Sequence, residues 1–232
     1  EPGKGGISML LEIPGLLNEA QLNKIDEVLA EAEFVDGKLT AGSAASRVKH
    51  NEEMKAEPKS MELLIRILTS AMAHNAAFRS AVLPYRMADP IFARYQPGMT
   101  YGDHVDDPLM GHSGQRFRTD VSMTIFLRAP ERYEGGELVI GTTFGKQKVK
   151  LEAGSAVIYP SSSLHHVAPV IGGERLVALA WIQSYVRDPA RRELLYELDQ
   201  AREHLLKNAP EEEHTAQVDK SYANLLRMWG DV

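Results

Sequence analysis

His104-Val105-Asp106 is the tripeptide from which this chain is best read. As extended backbone it turns the His and Asp side chains to one face, with Val105 on the other face to pack behind them. An imidazole and a carboxylate so placed can grip one ion, and one more ligand is needed. Pro160-Ser161-Ser162-Ser163-Leu164-His165-His166-Val167 offers it far downstream, and Arg175 follows ten residues after His165. Two imidazoles and one carboxylate on one face form a ligand set that suits Fe(II) and leaves coordination positions open. His-x-Asp alone is a weak signal, because Asp103, Asp106 and Asp107 together also suit an exposed acidic loop. The later His, the Arg at its offset and the strand-rich stretch between them favour the metal.

Outward from the tripeptide, the sequence from Ile91 onward breaks into short apolar or alternating runs separated by turn residues. Eight are expected as strands: Ile91 to Tyr95, His104 to Asp106, Val121 to Leu127, Leu138 to Gly141, Lys146 to Leu151, Ala156 to Tyr159, His165 to Ala168 and Arg175 to Gln183. Gly135-Gly136 and Gly145 supply turns, and Pro130 and Pro160 stand at run ends where a missing N–H does no harm. Eight antiparallel strands with no helix between them suit a double-sheet jelly roll. Leu176 to Ile182 is nearly all apolar, so that strand is expected to be covered on both faces.

The cover is sought among the helices. Asn18 with Gln21 forms a capping box, Leu17 and Leu22 a hydrophobic staple, and Leu22, Ile25, Leu29 and Ala32 then recur at helical spacing. Ser60 is expected to cap a second helix with a stripe of Leu63, Leu64, Ile67, Leu68, Ala71 and Met72. Between them, Asp36 to Ser46 reads as a loop, either a mobile one near a substrate entrance or one without a role. His50 and His74 have no partner at ligand spacing and read as solvent-facing or capping residues. Asp188-Pro189 opens a third helix with Leu194, Leu198, Ala201 and Leu205 on one face. Pro210 and Glu211 to Glu213 start a fourth, whose buried face is expected to be Val218, Tyr222, Leu225 and Trp229. Such stripes must pack on each other, on the barrel, or on another copy in a homo-oligomer. The fold class is thus α+β, mainly β: a double-stranded β-helix with N-terminal supporting helices and a C-terminal helical appendage. Residues 9–184 form one domain, with barrel strands from about 91, and 185–232 form a helical subdomain.

Composition bounds the chemistry. The 232 residues can bury one sizeable core, and 44% hydrophobic content is ordinary for a globular chain. A formal charge of −6 without a Lys/Arg cluster argues against a nucleic-acid surface. With no Cys, thiolate zinc and Cys-ligated iron–sulfur sites are excluded, and a metal must sit on His and carboxylate. Neither a membrane-length apolar run nor a signal-type N-terminus is seen, so no membrane partner and a cytoplasmic location are expected. Glu1 to Ser8 is Gly-rich and reads as an expression remnant.

Tyr101-Gly102-Asp103-His104-Val105-Asp106, Arg118-Thr119-Asp120, Gly135-Gly136-Glu137-Leu138-Val139-Ile140, Pro160-Ser161-Ser162-Ser163-Leu164-His165 and Trp181-Ile182-Gln183-Ser184 together resemble the bacterial PKHD-type hydroxylases. These belong to the prolyl-4-hydroxylase-like branch of Fe(II)/2-oxoglutarate dioxygenases, and the likeness runs from about Met9 to the C-terminus. It implies that His104, Asp106 and His165 ligate Fe(II), with His166 on the opposite face of the strand. It implies O2 and 2-oxoglutarate as co-substrates, L-ascorbate as reductant, and hydroxylation of a small-molecule or peptide substrate with release of succinate and CO2. Relatives of this kind are linked to iron homeostasis. Asp106 neutralises one of the two charges of Fe(II), and a chelating 2-oxoglutarate would supply the other. Its distal carboxylate then needs a buried cation, for which Arg175 is the candidate; the alternative is a surface Arg after the Gly172-Gly173 turn. Tyr95 either donates its hydroxyl to the co-substrate or is a core residue of the first barrel strand. Two other classes stay open: a non-catalytic jelly-roll sensor of iron or 2-oxoglutarate, and a cupin-type enzyme, against which the His-Val-Asp spacing and trailing Arg argue.

Overall fold

The computed structural model describes residues 9–42, 45–111 and 114–231. The N-terminal stretch read as a remnant lies outside them, as do two residues of the 36–46 loop. Every strand pairing among the described residues is antiparallel, and two sheets face each other. In the larger, eight-stranded sheet the order is Leu11–Ile13, Ala156–Pro160, Val121–Phe126, Arg175–Ser184, Ile91–Tyr95, Glu52–Met54 and Phe34–Asp36, with Pro84–Met87 added beside Arg175–Ser184. The smaller sheet runs Gly145–Val149, Leu138–Thr142, His165–Val167, Thr100–His104 and Lys49–His50. Facing antiparallel sheets in this arrangement make the expected jelly roll.

Alternation along the central strand explains the two-layered core. Leu176, Ala178, Ala180 and Ile182 point outward, into a cluster with Ile25 and Leu29 of helix α1 (Glu19–Ala30) and Leu64, Leu68 and Met72 of helix α2 (Pro58–His74). Val177 points inward, between the sheets, with Phe126, Leu138, Ile140, Val157 and Val167. The α1 capping box forms as expected, Asn18 and Gln21 each accepting from the other's backbone N–H. The start of α2 differs: Glu57 is the cap, its carboxylate accepting from Ser60 N, and Pro58 opens the helix. Acidic Glu57 outcompetes Ser60 because it precedes a Pro that needs no N–H partner.

Several expectations give way. The strand expected at His104 to Asp106 ends at His104, and Val105 is 49% exposed rather than packed behind its neighbours. The stretch read as loop and charged run between α1 and α2 contributes three short strands, with a turn of 3-10 helix at Gly37–Thr40. A short helix α3 (Ala76–Val82) and the pairing of Tyr133–Gly135 with Val170–Gly173 were also not anticipated.

At the C-terminus, Asp188 caps helix α4 (Pro189–Asn208) as expected, but the buried face is rotated. Arg192, Leu195 and Asp199 are buried, whereas Leu194 is 52% exposed. Buried polar partners decide this: Asp199 accepts from Ser80 of α3, and Arg192 donates to the Val186 and Arg187 carbonyls. In helix α5 (Glu213–Trp229) the expected stripe is only half-buried, and Thr215 alone is fully buried among its described residues. Helix α5 packs on α4, and Arg191 and Arg202 of α4 lie over the rings of Trp229 and Tyr222.

The rotation predicts unequal costs for two adjacent leucines. Leu195→Ala should destabilise by about 2–5 kcal/mol, as for a fully buried Leu, and Leu194→Ala by less than about 0.5 kcal/mol. Urea denaturation of both variants checks this; equal losses would mean that the face assignment is wrong.

Candidate metal centre

The site is built at one cross-strand pair. His104, the last residue of Thr100–His104, lies directly opposite His165, the first residue of His165–Val167, in the antiparallel register. Their rings are 4.3 Å apart between centroids. Each ring is anchored the same way: His104 Nδ1 is 2.8 Å from the Gly102 carbonyl, and His165 Nδ1 is 2.9 Å from the Ser163 carbonyl. A carbonyl can only accept, so both Nδ1 atoms carry the proton and both Nε2 lone pairs are free for a metal.

Asp106 arrives from the irregular segment after the strand, not along it. Its Oδ1 is 3.9 Å from His104 Nε2 and 3.8 Å from His165 Nε2. The three ligand atoms all lie within 4.8 Å of one another, a spacing that one ion can bridge. Oδ2 accepts from the Ser122 hydroxyl, which in turn lies 2.8 Å from the Ser161 hydroxyl. Ser122 has a single proton, and the carboxylate is the stronger acceptor, so Ser161 donates to Ser122 and Ser122 to Asp106. Tyr101 stacks on His104 with a centroid distance of 3.6 Å, and Tyr159 meets His165 edge-on. His166 turns away, half-buried, with Nδ1 2.6 Å from Asp103 Oδ1. The structure thus brings His104, Asp106 and His165 together and leaves His166 out.

The triad opens on a cavity of about 1150 Å³ that Arg175 and Tyr95 also line. Arg175 is 1% exposed, which removes the surface alternative. Its Nε and Nη1 have no hydrogen-bond partner, and no ion pair among the described residues includes it. An isolated buried guanidinium is costly unless something anionic meets it. Tyr95 faces it across the strand pair, 4.9 Å from ring centroid to guanidinium carbon, and burial pushes the Tyr95 hydroxyl up to about 12. Tyr159 and Tyr101 are likewise pushed up, chiefly by burial, so these hydroxyls remain proton donors.

Two features escaped the sequence. Tyr133 has a buried hydroxyl beside Arg175 that lacks a hydrogen bond of good geometry; burial pushes it up, and the guanidinium opposes that push. Both pack on Gly136, where a Cβ would lie 3.1 Å from Arg175 Cδ and 3.2 Å from Tyr133 Cε2; at φ +66° the backbone also favours glycine. The Gly135-Gly136 motif was read only as a turn. Lys49 and Glu53 form a buried ion pair with Thr40, and the Lys49 ammonium lies 5.3 Å from the Tyr101 ring centre. In the sequence nothing marks the two as partners.

The three donors fit a divalent ion of the hard-to-borderline kind, and the orphaned Arg175 fits a carboxylate in the same cavity. Comparisons agree with this chemistry. The model of the 2OG-Fe(II) oxygenase superfamily matches residues 90–183, and that of the PKHD-type hydroxylase C-terminal domain matches 189–231. A PKHD-type hydroxylase of Thioalkalivibrio sulfidiphilus is 54% identical over 97% of this chain and 100% of its own length. One of Synechococcus elongatus is 45% identical over 96% and 100%. Among solved structures, a viral collagen prolyl hydroxylase of Paramecium bursaria Chlorella virus-1 in complex with 2OG is 22% identical. It covers 78% of this chain and 97% of its own, with TM-score 0.53. A prolyl hydroxylase of Trichoplax adhaerens is 17% identical over 82% and 87%, with TM-score 0.55. The last two show a shared fold.

Burial, then the neighbouring His165, brings the His104 pKa down to about 4, which keeps a neutral imidazole ready for a metal. The unfolded value is about 6.5, so between roughly pH 6.5 and 4 the unfolded chain binds the extra proton. The metal-free protein should therefore lose stability as pH falls through that window, with the contribution fully present above it. His104→Asn should flatten this part of the profile. Urea denaturation of metal-free protein at several pH values measures it, and parallel profiles for the two proteins would contradict the burial argument.

Proposed function

The chain belongs to the PKHD-type hydroxylase family of 2-oxoglutarate-dependent dioxygenases, and from that premise we propose that His104, Asp106 and His165 hold its Fe(II) while Arg175 holds the distal carboxylate of 2-oxoglutarate. The observation that carries this reading is the buried, unpaired guanidinium in the same cavity as the three ligands. The viral neighbour was determined with 2OG bound, and another neighbour, HygX of Streptomyces hygroscopicus, with nickel and 2-oxoglutarate.

Iron, when bound, supplies open coordination positions for a chelating 2-oxo acid and for O2. The protein's part is positional. The Gly102 and Ser163 carbonyls fix the ring tautomers, Ser122 orients Asp106, and Tyr95 and Tyr133 bring neutral hydroxyls toward the Arg175 end. In the overall reaction one oxygen atom of O2 enters a substrate C–H to give C–OH. The other enters the new carboxylate of succinate as CO2 leaves. The cavity exceeds what a five-carbon diacid needs, and its remaining wall is mixed, with Ile91, Phe117 and Trp181 beside Arg86, Asp89 and Gln115. A small molecule or peptide with both apolar and polar parts is the substrate this wall accommodates. Ascorbate would keep the iron reduced after uncoupled turnover. Residues 9–184 carry the chemistry, and 185–232 support it. A cytoplasmic place in iron homeostasis is consistent with the family; among the described residues no helix is long and apolar enough to cross a membrane.

Anaerobic reconstitution with Fe(II), followed by succinate measurement in air with and without candidate substrates, tests the activity. His165→Ala should be iron-free and make no succinate, whereas His166→Ala should keep stoichiometric iron. An iron-free His166→Ala would reverse the assignment.

Arg175→Leu should bind Fe(II) nearly normally yet lose 2-oxoglutarate affinity. A broken buried charge pair costs about 2–5 kcal/mol, or tens- to thousands-fold in Kd. An unchanged anaerobic Kd for 2-oxoglutarate would refute the role of Arg175.

A further inference from the structure

The Arg118-Thr119-Asp120 motif carries no metal ligand, yet it lies where the oxygenase core, the ligand segment and the C-terminal helices meet. Thr119 pins the segment just beyond Asp106: its hydroxyl donates to the Asp107 carbonyl at 2.6 Å and its N–H to the Pro108 carbonyl at 3.1 Å. Asp120 is gripped on its side chain by both Arg118 nitrogens, at 2.7 and 3.1 Å, and by the Ser184 N–H at 2.9 Å. Its carbonyl has two further donors. One is the Ser161 N–H at 3.1 Å, and the other is Arg192 Nη2 of helix α4 at 3.4 Å. Ser161 is also the residue whose hydroxyl meets Ser122, the partner of Asp106.

We propose that Arg192, carried by the C-terminal helix α4, is a positioning residue for Asp106, acting through the Asp120 carbonyl, Ser161 and Ser122. The route is continuous and buried: Arg192 is 2% exposed, Ser161 3% and Ser122 2%. Arg192 holds the Val186 and Arg187 carbonyls with Nη1, at 2.7 and 2.9 Å, leaving Nη2 for Asp120. The planar guanidinium therefore ties the segment just after the Arg175–Ser184 strand to the residue just before the Val121–Phe126 strand in one step. That fixes Ser161 against Asp120 and, through it, the Ser122 hydroxyl. With Oδ2 of Asp106 occupied by Ser122, Oδ1 is left facing the two imidazoles. The C-terminal helices thus act on the ligand geometry without touching the cavity. The inference rests on the assignment of Asp106 as a metal ligand.

The test uses the full chain and Co(II), whose affinity and d–d absorption report ligand geometry without turnover. Ser122→Ala should weaken Co(II) by about 10–100-fold, the usual effect of removing a hydrogen-bond partner from a ligand. Ser161→Ala and Arg192→Lys should each weaken it by about fivefold, the worth of one hydrogen bond, and shift the d–d bands in the same direction. Lys cannot span three carbonyls but keeps the charge, so this variant should fold even where Arg192→Leu does not. Ser80→Ala removes a different tie between α4 and the core, the bond to Asp199, and should lower Tm with Co(II) affinity and spectrum unchanged. If Arg192→Lys and Ser161→Ala behave as Ser80→Ala does, the relay is overturned and Arg192 is an anchor only. Failure of the unaltered protein to bind Co(II) would instead remove the metal assignment itself, and the inference with it.

Discussion

Direct cross-strand pairing of His104 with His165 is the constraint on which the centre depends. Strand side chains alternate, so a slip of the His165–Val167 strand by one residue would replace His165 with His166 on the cavity side. What prevents the slip is local and redundant. The Leu138–Thr142 strand holds the other edge of His165–Val167, and the apolar residues Leu138, Ile140 and Val167 must face the inner core. The same burial that fixes the register dries the rings, and the Gly102 and Ser163 carbonyls turn both Nε2 atoms toward Asp106.

The sequence was informative where one physical pattern dominated. Periodicity placed the barrel strands from Ile91 onward close to where they lie, and the apolar run Leu176 to Ile182 correctly implied cover on both faces. It was also possible to see that His104, Asp106 and His165 could converge, although for the wrong reason in one case. Asp106 reaches the site from irregular backbone, drawn in by Ser122 and held by Thr119, not by the alternation of a strand. A hydrogen bond between residues 16 apart has no periodic trace.

Buried polar groups account for most of the rest. Hydrophobic spacing put Leu194 in the core because it cannot register that Arg192 and Asp199 have partners waiting in the barrel and in α3. Lys49 and Glu53 leave no mark in the sequence because nothing in their neighbourhood reveals that each is the other's counterion. Arg175 is the opposite case, a charge buried without a counterion, and its isolation is as informative as the pairing of the others. Paired charges here tie the fold together; the unpaired one lines the cavity on which the triad opens.

Gly136 sets a further limit. A side chain at that position would press on Val170, the Arg175 Cδ and the Tyr133 ring together. Even a single methyl group at residue 136 would have to be accommodated by moving the Arg175 side chain, the Tyr133 ring or Val170, so the absence of a side chain there is what lets three buried groups share one wall.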